Sequence, residues 1–396
     1  MNFIYISPEF PVTGTAFITQ LRAKGVTVLG IGESPYDGLP MELRNAMTEY
    51  YRVDSLQDYD QVLRAVAFFT FRYGKIDWLE SNNEFWLEQD AQLRRDFHIT
   101  TGFQPEDMER VKRKSQMKEV FRQAGIPVCR GQMLTTPEDA LSFTKEVGYP
   151  VIAKPDIGVG ASQTYKFMNE EELLAFFADK PDVDMFMEEF VPGEVVTYDG
   201  IVDAKGETVR EFTLECPVSI MDMANLGVET MFYSTKGPAE DVAPYGRKAV
   251  KAFGVKSRYI HFEFFRLYED KKGLGKKGDI LGLEVNMRPP GGFAPHMHNM
   301  SNNTDCFRAY ADMVTGAPVE EESADEKYYT LFLGRRHYVH YAHSEEETEA
   351  RWQAGIQQKI YPAPAEAAVM SDIVYIFKTH DLDELYAFAA YATQHA

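Results

Sequence analysis

The segment 283–292 has the sequence LEVNMRPPGG, in which Glu284, Asn286 and Arg288 occupy every second position. Alternate side chains of a β-strand lie on the same face, so the pattern predicts a strand with these three side chains in a row. Mg²⁺ accepts carboxylate and amide oxygens as ligands, and a guanidinium pairs well with phosphate. The segment therefore predicts a site where a divalent cation and a phosphate bind side by side.

A second carboxylate, Glu263, lies upstream in the apolar run HFEFF. Glu263 and Glu284 both interrupt apolar strands, where carboxylates are rarely buried without a partner. A shared Mg²⁺ supplies such a partner, and the alternative is a buried ion pair with Arg266 or Arg288. The amide of Asn286 nearby favours the metal site.

A glycine-rich loop follows the predicted strand 151–154. Its small residues let backbone N–H groups approach phosphate oxygens closely. A Walker loop or a dinucleotide fingerprint would lead into a helix, whereas 164–167 has the pattern of a strand. A plain hairpin turn is the alternative interpretation. The candidate phosphate-binding residues of this loop are Gly158, Gly160, Ala161 and Ser162.

Two lysines are candidates for holding the phosphates. Lys154 ends the apolar strand and precedes a proline, so its stem is expected to be packed and its ammonium group directed. Lys114 lies on a predicted basic helix over 106–124, where a solvated helix face is the alternative. The glycine loop directly after Lys154 favours phosphate binding by that lysine.

The segment 188–194, EEFVPGE, reads as a strand end that runs into a turn. Exposed backbone at such a point can pair with the edge of an adenine, and Glu194 can accept hydrogen bonds from ribose hydroxyls. An acidic solvated turn is the alternative. Further along, His296 and His298 are expected to be satisfied loop histidines, and a contact with substrate stays open for both.

Composition limits the class of protein. The 396 residues suffice for two or three domains, and a hydrophobic content of 44% indicates a globular chain. The formal net charge of −20 disfavours nucleic-acid and anionic-membrane partners, which bind clustered Lys and Arg. Neither a signal peptide nor a membrane span is predicted. Three widely spaced cysteines suggest no zinc site or disulfide framework, so a cytoplasmic location is expected.

Strands alternate with helical stretches before residue 100, which predicts an open parallel α/β sheet. Thr136 and Asn169 have the spacing of helix N-caps. After an acidic run at 320–326, the tail shows strand patterns at 328–333, 338–341 and 373–377, with helices from Ser344 and near Leu382. The predicted domains are 1–104, 105–317 with a lid subdomain at about 129–190, and 318–396.

Together these motifs resemble the ATP-grasp superfamily, in its carboxylate–amine ligase branch, with carbamoyl-phosphate synthase large-chain-like and biotin carboxylase-like proteins. They follow the family order over residues 105–300. The resemblance implies an ATP-grasp fold of mixed α/β and α+β class, with an N-terminal open parallel-sheet (pre-ATP-grasp) domain and a small C-terminal α+β region. A full carbamoyl-phosphate synthase chain carries two such motif sets, and this chain shows one, so that enzyme's name is not implied.

The resemblance also implies roles for single residues. Arg288 would be catalytic, stabilising the phosphoryl group in transfer. Glu188 and Val191 would flank the adenine, with Glu194 on the ribose. The implied ATP-binding set is Lys114, Lys154, Gly158, Gly160, Ala161, Ser162, Glu188, Glu189, Val191 and Glu194, and the implied ligands of Mg²⁺ or Mn²⁺ are Glu263, Glu284 and Asn286.

The function expected from this resemblance is an ATP-dependent ligase that activates a substrate carboxylate as an acyl phosphate for attack by an amine. Its cofactors would be ATP and Mg²⁺, and its partners would be small-molecule carboxylates and amines, with a homodimer as a further expectation. Two alternatives stay open: a kinase that releases a phosphorylated product, and an ATP-binding regulatory protein without turnover.

Overall fold

The structure is a computed structural model that describes residues 1–158, 163–218, 228–320, 326–362, 367 and 370–396. The described strands form an N-terminal parallel sheet, a small antiparallel sheet and a large antiparallel sheet. No helix in the described ranges combines the length and the apolar character that a membrane crossing requires.

The N-terminal sheet has the order β3-β2-β1-β4, and its strand pairs are parallel. The predicted open parallel sheet is therefore confirmed. Its strands are β1 Asn2–Ile6, β2 Thr27–Gly32, β3 Glu49–Arg52 and β4 Trp78–Glu80. Its helices are α1 Gly14–Ala23, α2 Met41–Ala46, α3 Tyr59–Tyr73 and α4 Leu87–Asp96. Short 3₁₀ turns lie at Tyr36–Gly38, Glu84–Trp86 and Pro105–Asp107.

The single helix predicted over 106–124 is wrong. Two helices occupy this range, α5 Met108–Lys112 and α6 Lys114–Gln123, and Arg113 between them is extended, with φ −87° and ψ 119°. The N–H of Lys114 donates to the Asp156 carbonyl at 2.9 Å, and the N–H of Ser115 donates to the Asp156 carboxylate at 2.8 Å. The first N–H groups of a helix have no partner within it. Asp156 therefore stabilises a new helix start at Lys114.

The small sheet has the order β5-β8-β6-β7, with antiparallel pairs. Thr136 and Asn169 accept hydrogen bonds from the backbone at the starts of its two helices, as predicted for N-caps. The strands are β5 Gly131–Met133, β6 Val151–Pro155, β7 Tyr165–Phe167 and β8 Met185–Glu189. The helices are α7 Pro137–Val147 and α8 Glu170–Ala178.

The large sheet has the order β14-β13-β9-β11-β12-β15-β17-β16, and β10 pairs with β9 beside that path. Its first six strands are β9 Gly193–Val202, β10 Thr208–Phe212, β11 Leu214–Cys216, β12 Met231–Ser234, β13 Arg258–Leu267 and β14 Ile280–Asn286. The helices that follow strands of this group are α9 Ala243–Ala252, α10 Ala294–Asn302 and α11 Cys306–Thr315.

The C-terminal strands extend the large sheet, because β15 pairs with β12. They are β15 Tyr329–Arg335, β16 Ile356–Ile360 and β17 Ile373–Thr379, and they pack with α12 Glu345–Trp352 and α13 Leu382–Ala392. The predicted strand at 338–341 is wrong: these residues form a turn, with one isolated bridge from Tyr341 to His395. The domain limits at 104 and 317 stay predictions.

Helix α6 packs closely on the large sheet at β14. Gly282 permits this approach, since a Cβ atom there would lie 2.9 Å from the Phe121 ring. Phe121 also stacks edge-on against Phe253 and Phe264. This packing holds the N-terminal turn of α6, and with it Lys114, beside the end of β14.

Candidate active site

A cavity of about 440 Å³ lies between the small sheet and the strands β9, β13 and β14. The structure brings all the described candidate residues to this cavity. They are Lys114, Lys154, Gly158, Glu188, Glu189, Val191, Glu194, Glu263, Glu284, Asn286 and Arg288. The remaining candidates, Gly160, Ala161 and Ser162, lie outside the described residues.

One wall of the cavity carries the acidic cluster, which we define as Glu263, Glu284 and Asn286. Glu263 lies directly opposite Glu284 in the register of β13 and β14, and His261 lies opposite Asn286. Cross-strand partners share a face, as do residues two apart along a strand. The sheet register therefore places all three members of the cluster side by side, although Arg288 lies beyond the end of β14.

The two carboxylates of this cluster have opposite pKa shifts. Burial raises the pKa of Glu284, and the neighbouring Glu263 raises it further, against the opposing effect of Lys114. For Glu263, burial also acts upward, but the hydrogen bond and charge of His261 bring its pKa below the usual value. Two adjacent carboxylates with an amide oxygen form a hard-oxygen donor set that fits Mg²⁺. Within the described ranges, no group of three or more His, Cys, Asp or Glu side chains is arranged to hold a metal ion, so the acidic cluster offers two carboxylates and one amide only.

The opposite wall carries Lys154 and Glu188, which form the lysine cluster together with Lys118, a fully buried residue that does not itself line the cavity. The Glu188 carboxylate lies 2.8 Å from Nζ of Lys118 and 2.5 Å from Nζ of Lys154. All three side chains are buried. Burial would raise the pKa of Glu188, but the two ammonium groups hold it well below its usual value. Burial would likewise lower the pKa of Lys154, and the carboxylates of Glu188 and Glu284 raise it instead.

Lys118 was not among the residues expected at this site. It follows Lys114 by four positions, so the two share one side of α6, and this spacing was the available signal. The Glu188 carboxylate is bound by two lysines, and its contact with adenine stays a prediction. The cluster presents one net positive charge to the cavity, since two ammonium groups share one carboxylate.

Lys114 connects the two walls. Its Nζ donates to the Gly158 carbonyl at 3.2 Å and lies 3.6 Å from the Glu284 carboxylate. Lys114 is 4% exposed, so the solvated-face alternative is wrong. Its position at the first residue of α6, fixed by Asp156, directs it toward the start of the glycine loop.

The partners of Arg266 decide one of the two ion-pair alternatives for Glu263 and Glu284. Arg266 pairs with Glu215 at 2.7 Å, with Asp241 at 2.7 Å and with Glu194 at 3.1 Å. An ion pair between Arg266 and either acid of the cluster is therefore wrong. Arg288 donates to the Pro289 carbonyl at 2.8 Å. Its partly buried side chain lines the cavity, where it contributes to lowering the pKa of Glu263.

The other end of the cavity combines apolar side chains with acids that already have partners. Val191 packs in an apolar cluster with Cys129 and Leu267, and Phe265 and Leu283 also line the cavity. Such a surface fits the flat face of a base. Glu189 receives two hydrogen bonds from the Arg130 guanidinium, at 3.1 and 2.7 Å, so its side chain is structural.

A buried chain of polar groups lies behind Glu263. His261 Nε2 is 3.2 Å from Glu263, and His261 Nδ1 is 2.6 Å from Asp199. Burial acts to lower the pKa of His261, but the adjacent Asp199 and Glu263 carboxylates raise it to about 9. Burial acts to raise the pKa of Asp199, but the imidazoles of His261 and His298 lower it to about 2.

The two histidines of the helix after the acidic cluster are satisfied within the protein. His298 is fully buried, with Nε2 2.9 Å from Asp199 and Nδ1 2.8 Å from the Ser234 hydroxyl. His296 stacks on Phe293 with ring centroids 4.7 Å apart. Neither of them lines the cavity. The predicted loop is wrong, because both histidines lie on α10 Ala294–Asn302, and the hydrogen bonds of His298 agree with the expectation of a satisfied histidine.

Comparisons with known proteins agree on the fold. Residues 113–225 match the family model described as carbamoyl-phosphate synthase L chain, ATP binding domain. The L-amino acid ligase of Bacillus licheniformis matches with a TM-score of 0.70 at 15% identity, over 98% of this chain and 95% of the ligase. The N5-carboxyaminoimidazole synthetase of Staphylococcus aureus, complexed with ADP, matches with a TM-score of 0.70 at 16% identity, over 98% of this chain and 96% of the synthetase.

A third structure contains both metal and nucleotide. It is the biotin carboxylase domain of the Hydrogenobacter thermophilus 2-oxoglutarate carboxylase, a dimer in complex with MgADP, ADP and bicarbonate. It matches with a TM-score of 0.68 at 16% identity, over 95% of this chain and 86% of that chain. The fold agrees in all three comparisons, and the matched segment carries Lys114, Lys154 and the lysine cluster. The chain thus has an ATP-grasp fold.

Proposed function

We propose that this protein is an ATP-dependent ligase that converts a substrate carboxylate into an acyl phosphate and then joins it to an amine. The observation that carries the proposal is the pairing of two clusters across one cavity. Carboxylates and an amide oxygen lie on one wall, and buried lysines lie on the other. This arrangement suits a nucleoside triphosphate bound together with a divalent cation.

ATP would lie with its base at the apolar end formed by Val191, Phe265 and Leu283, and with its phosphates toward Lys114 and Lys154. Both lysines are buried, so their charges are screened little by water. Glu263, Glu284 and Asn286 would hold Mg²⁺, which supplies neutralisation of the charge on the phosphate oxygens. The Mg²⁺ of the related carboxylase domain, bound there as MgADP, supports this choice of metal.

In the first half-reaction, a carboxylate oxygen of the substrate attacks the γ-phosphorus of ATP. The bond from that phosphorus to the bridging oxygen breaks, and the products are an acyl phosphate and ADP. Arg288 lies at the end of the acidic cluster, where its guanidinium would stabilise the three equatorial oxygens of the phosphoryl group in transfer. Lys114 and Lys154 would hold the nucleotide in line for this attack.

In the second half-reaction, an amine attacks the carbonyl carbon of the acyl phosphate. The carbon–oxygen bond to phosphate breaks, inorganic phosphate leaves, and the amine nitrogen loses a proton as the amide forms. The cavity wall protects the acyl phosphate from water during the interval between the two steps. Dimer formation and a cytoplasmic location accompany this proposal as predictions.

The experiment that tests the proposal traps the intermediate. The protein is incubated with ATP, Mg²⁺ and pools of carboxylates, and hydroxylamine is added to convert any acyl phosphate into a stable hydroxamate. We expect carboxylate-dependent ADP release with a stoichiometric hydroxamate, and an amide when an amine replaces hydroxylamine. A phosphorylated product that accumulates with a single acceptor would indicate a kinase. Metal-dependent ATP binding without ADP release from any pool would indicate a regulatory protein.

A further inference from the structure

Glu263 has a neighbouring partner on its own strand. His261 precedes it by two residues on β13, so both side chains lie on the same face of the sheet. The imidazole Nε2 lies 3.2 Å from one carboxylate oxygen, Oε1 of Glu263. This contact engages Oε1 and leaves the second oxygen of Glu263 for another partner.

The imidazole of His261 has a second contact, through its other ring nitrogen. Asp199 of β9 is the register partner of His261, and its Oδ1 lies 2.6 Å from Nδ1 of the imidazole. The other oxygen of Asp199 accepts from the Thr197 hydroxyl at 2.8 Å and lies 2.9 Å from Nε2 of His298. Asp199, Thr197 and His298 are each at most 1% exposed. The ring orientation of His261 is therefore determined by a rigid, buried set of contacts.

We infer that His261 is a positioning residue for the metal site, which holds Oε1 of Glu263 so that the carboxylate presents a single oxygen to the divalent cation beside Glu284. This inference rests on the proposed function, since it needs a nucleotide-bound metal at the acidic cluster. Groups that orient a metal ligand from behind commonly contribute about 10- to 100-fold in metal affinity. His261 touches neither nucleotide nor substrate in this arrangement, so it is not a catalytic residue.

The two ring nitrogens can be tested separately. The amide nitrogen of a glutamine replaces Nε2 of histidine, and the amide nitrogen of an asparagine replaces Nδ1. His261→Gln therefore keeps a donor toward Glu263 and loses the contact with Asp199. His261→Asn keeps the contact with Asp199 and loses the donor toward Glu263. A purely structural histidine would tolerate the asparagine variant better, because that variant preserves the deeper contact.

His298 provides a matched control. His298 is 0% exposed and His261 is 8% exposed, so His298 is the more deeply buried of the two. It also contacts the carboxylate of Asp199. It makes no contact with Glu263. His298→Gln consequently keeps the contact with Asp199, loses the contact with Ser234 and perturbs the same buried region without touching Glu263.

The measurement is the free Mg²⁺ concentration that half-saturates binding of a fluorescent ATP analogue, together with the melting temperature of each variant. We expect His261→Asn to raise that concentration about tenfold, and His261→Gln and His298→Gln to raise it less than about threefold. Equal Mg²⁺ dependence in wild type and His261→Asn, or an equal rise in His298→Gln, would overturn the inference. If neither His261 variant folds, the ring ¹⁵N signals of His261 in wild type must move on adding Mg²⁺ with ADP, and unmoved signals would overturn it.

The same data separate the two proposals. If wild type binds the analogue in a metal-dependent way and Glu284→Gln does not, the proposed nucleotide and metal site is supported. That conclusion does not depend on the results for the His261 variants. If His261→Asn then needs the same Mg²⁺ concentration as wild type for half-saturation, only the positioning role of His261 is rejected. Analogue binding in wild type that needs no metal would remove the metal site, and the role of His261 would be rejected with it.

Discussion

The two walls of the cavity balance their charges in different ways. In the lysine cluster, Glu188 lies between Lys118 and Lys154 and compensates them from within the protein. In the acidic cluster, Glu263 and Glu284 lie opposite each other, and burial together with that proximity raises the pKa of Glu284. Each buried charge of the lysine cluster thus has a partner within the cluster, whereas the two acids of the acidic cluster repel each other and find partners outside it, in Lys114 and His261.

This difference separates charges that stabilise each other from charges that repel each other. A buried ion pair that loses one partner leaves an uncompensated charge, which costs stability. A repulsive carboxylate pair that loses one charge costs the fold little, because the repulsion is relieved. Substitutions in the two clusters should therefore affect different quantities, and the following predictions use that contrast.

The largest effect is expected from Glu188→Gln in the lysine cluster. This variant leaves two buried ammonium groups without a carboxylate, so we expect the free energy of unfolding to fall by about 3–5 kcal/mol. Urea denaturation followed by circular dichroism measures the change. Glu119→Gln is the control, since the Glu119 side chain is 52% exposed in its pair with Arg122 and should change stability by less than about 0.5 kcal/mol. A loss below about 1 kcal/mol for Glu188→Gln would contradict the compensation argued here.

Glu284→Gln tests the acidic cluster and should affect turnover instead of stability. Neutralising one of two metal carboxylates removes several kcal/mol of transition-state stabilisation, so we expect ADP release to fall at least about a hundredfold. Stability should change little, because the relieved repulsion with Glu263 offsets the lost ion pair with Lys114. Glu211→Gln, in a partly exposed ion pair with Arg247 that does not line the cavity, should keep turnover within about twofold. Unchanged ADP release in Glu284→Gln at saturating Mg²⁺ would reject the assigned metal site.

The acidic cluster could be predicted from the sequence because each of its signals lies within a few consecutive residues of one strand. Alternation along one strand puts Glu284 and Asn286 on one face, and an acid within an apolar run marks Glu263. Both signals depend on the two-residue period of a strand, which the backbone imposes. The fold class followed from the same strands, since their order along the chain matched one superfamily.

The lysine cluster could be predicted only in part, because its partners come from distant segments. Lys118 meets Glu188 across 70 positions of sequence, and no local pattern shows that a helix from one region packs on a strand from another. The break at Arg113 has the same origin, since Asp156 supplies the hydrogen bonds that start α6. The wrong strand at 338–341 also reflects tertiary structure: β12 and β17 pair with both edges of β15 and leave no free edge beside it.

Asp199, which contacts His261 beside the acidic cluster, should make the free energy of unfolding depend on pH in the acid range. Its pKa of about 2 in the folded protein lies below the unfolded value of 3.8, so its contribution is present above pH 4 and is lost as pH falls toward 2. The contribution is about 2 kcal/mol. We expect the stability difference between wild type and Asp199→Asn to narrow by about that amount across this window. Asp37→Asn, whose side chain is 98% exposed, should show a constant difference, and a constant difference for Asp199→Asn would contradict the shift.

The smallest effect concerns Glu194, which lines the apolar end of the cavity and shares Arg266 with Glu215 and Asp241. Arg266 keeps two carboxylates when Glu194 is changed, so Glu194→Gln should leave the free energy of unfolding within about 0.5 kcal/mol. If Glu194 accepts a hydrogen bond from the ribose, its loss costs about 1 kcal/mol of binding, which raises the KM for ATP about fivefold. The KM for dideoxy-ATP, which lacks both ribose hydroxyls, should not change.

Asp241→Asn is the matched control, because Asp241 pairs with Arg266 without lining the cavity, and this variant should leave both KM values unchanged. An equal rise in KM for ATP and dideoxy-ATP would show that Glu194 acts through Arg266 and the shape of the cavity, and the contact with ribose would be rejected.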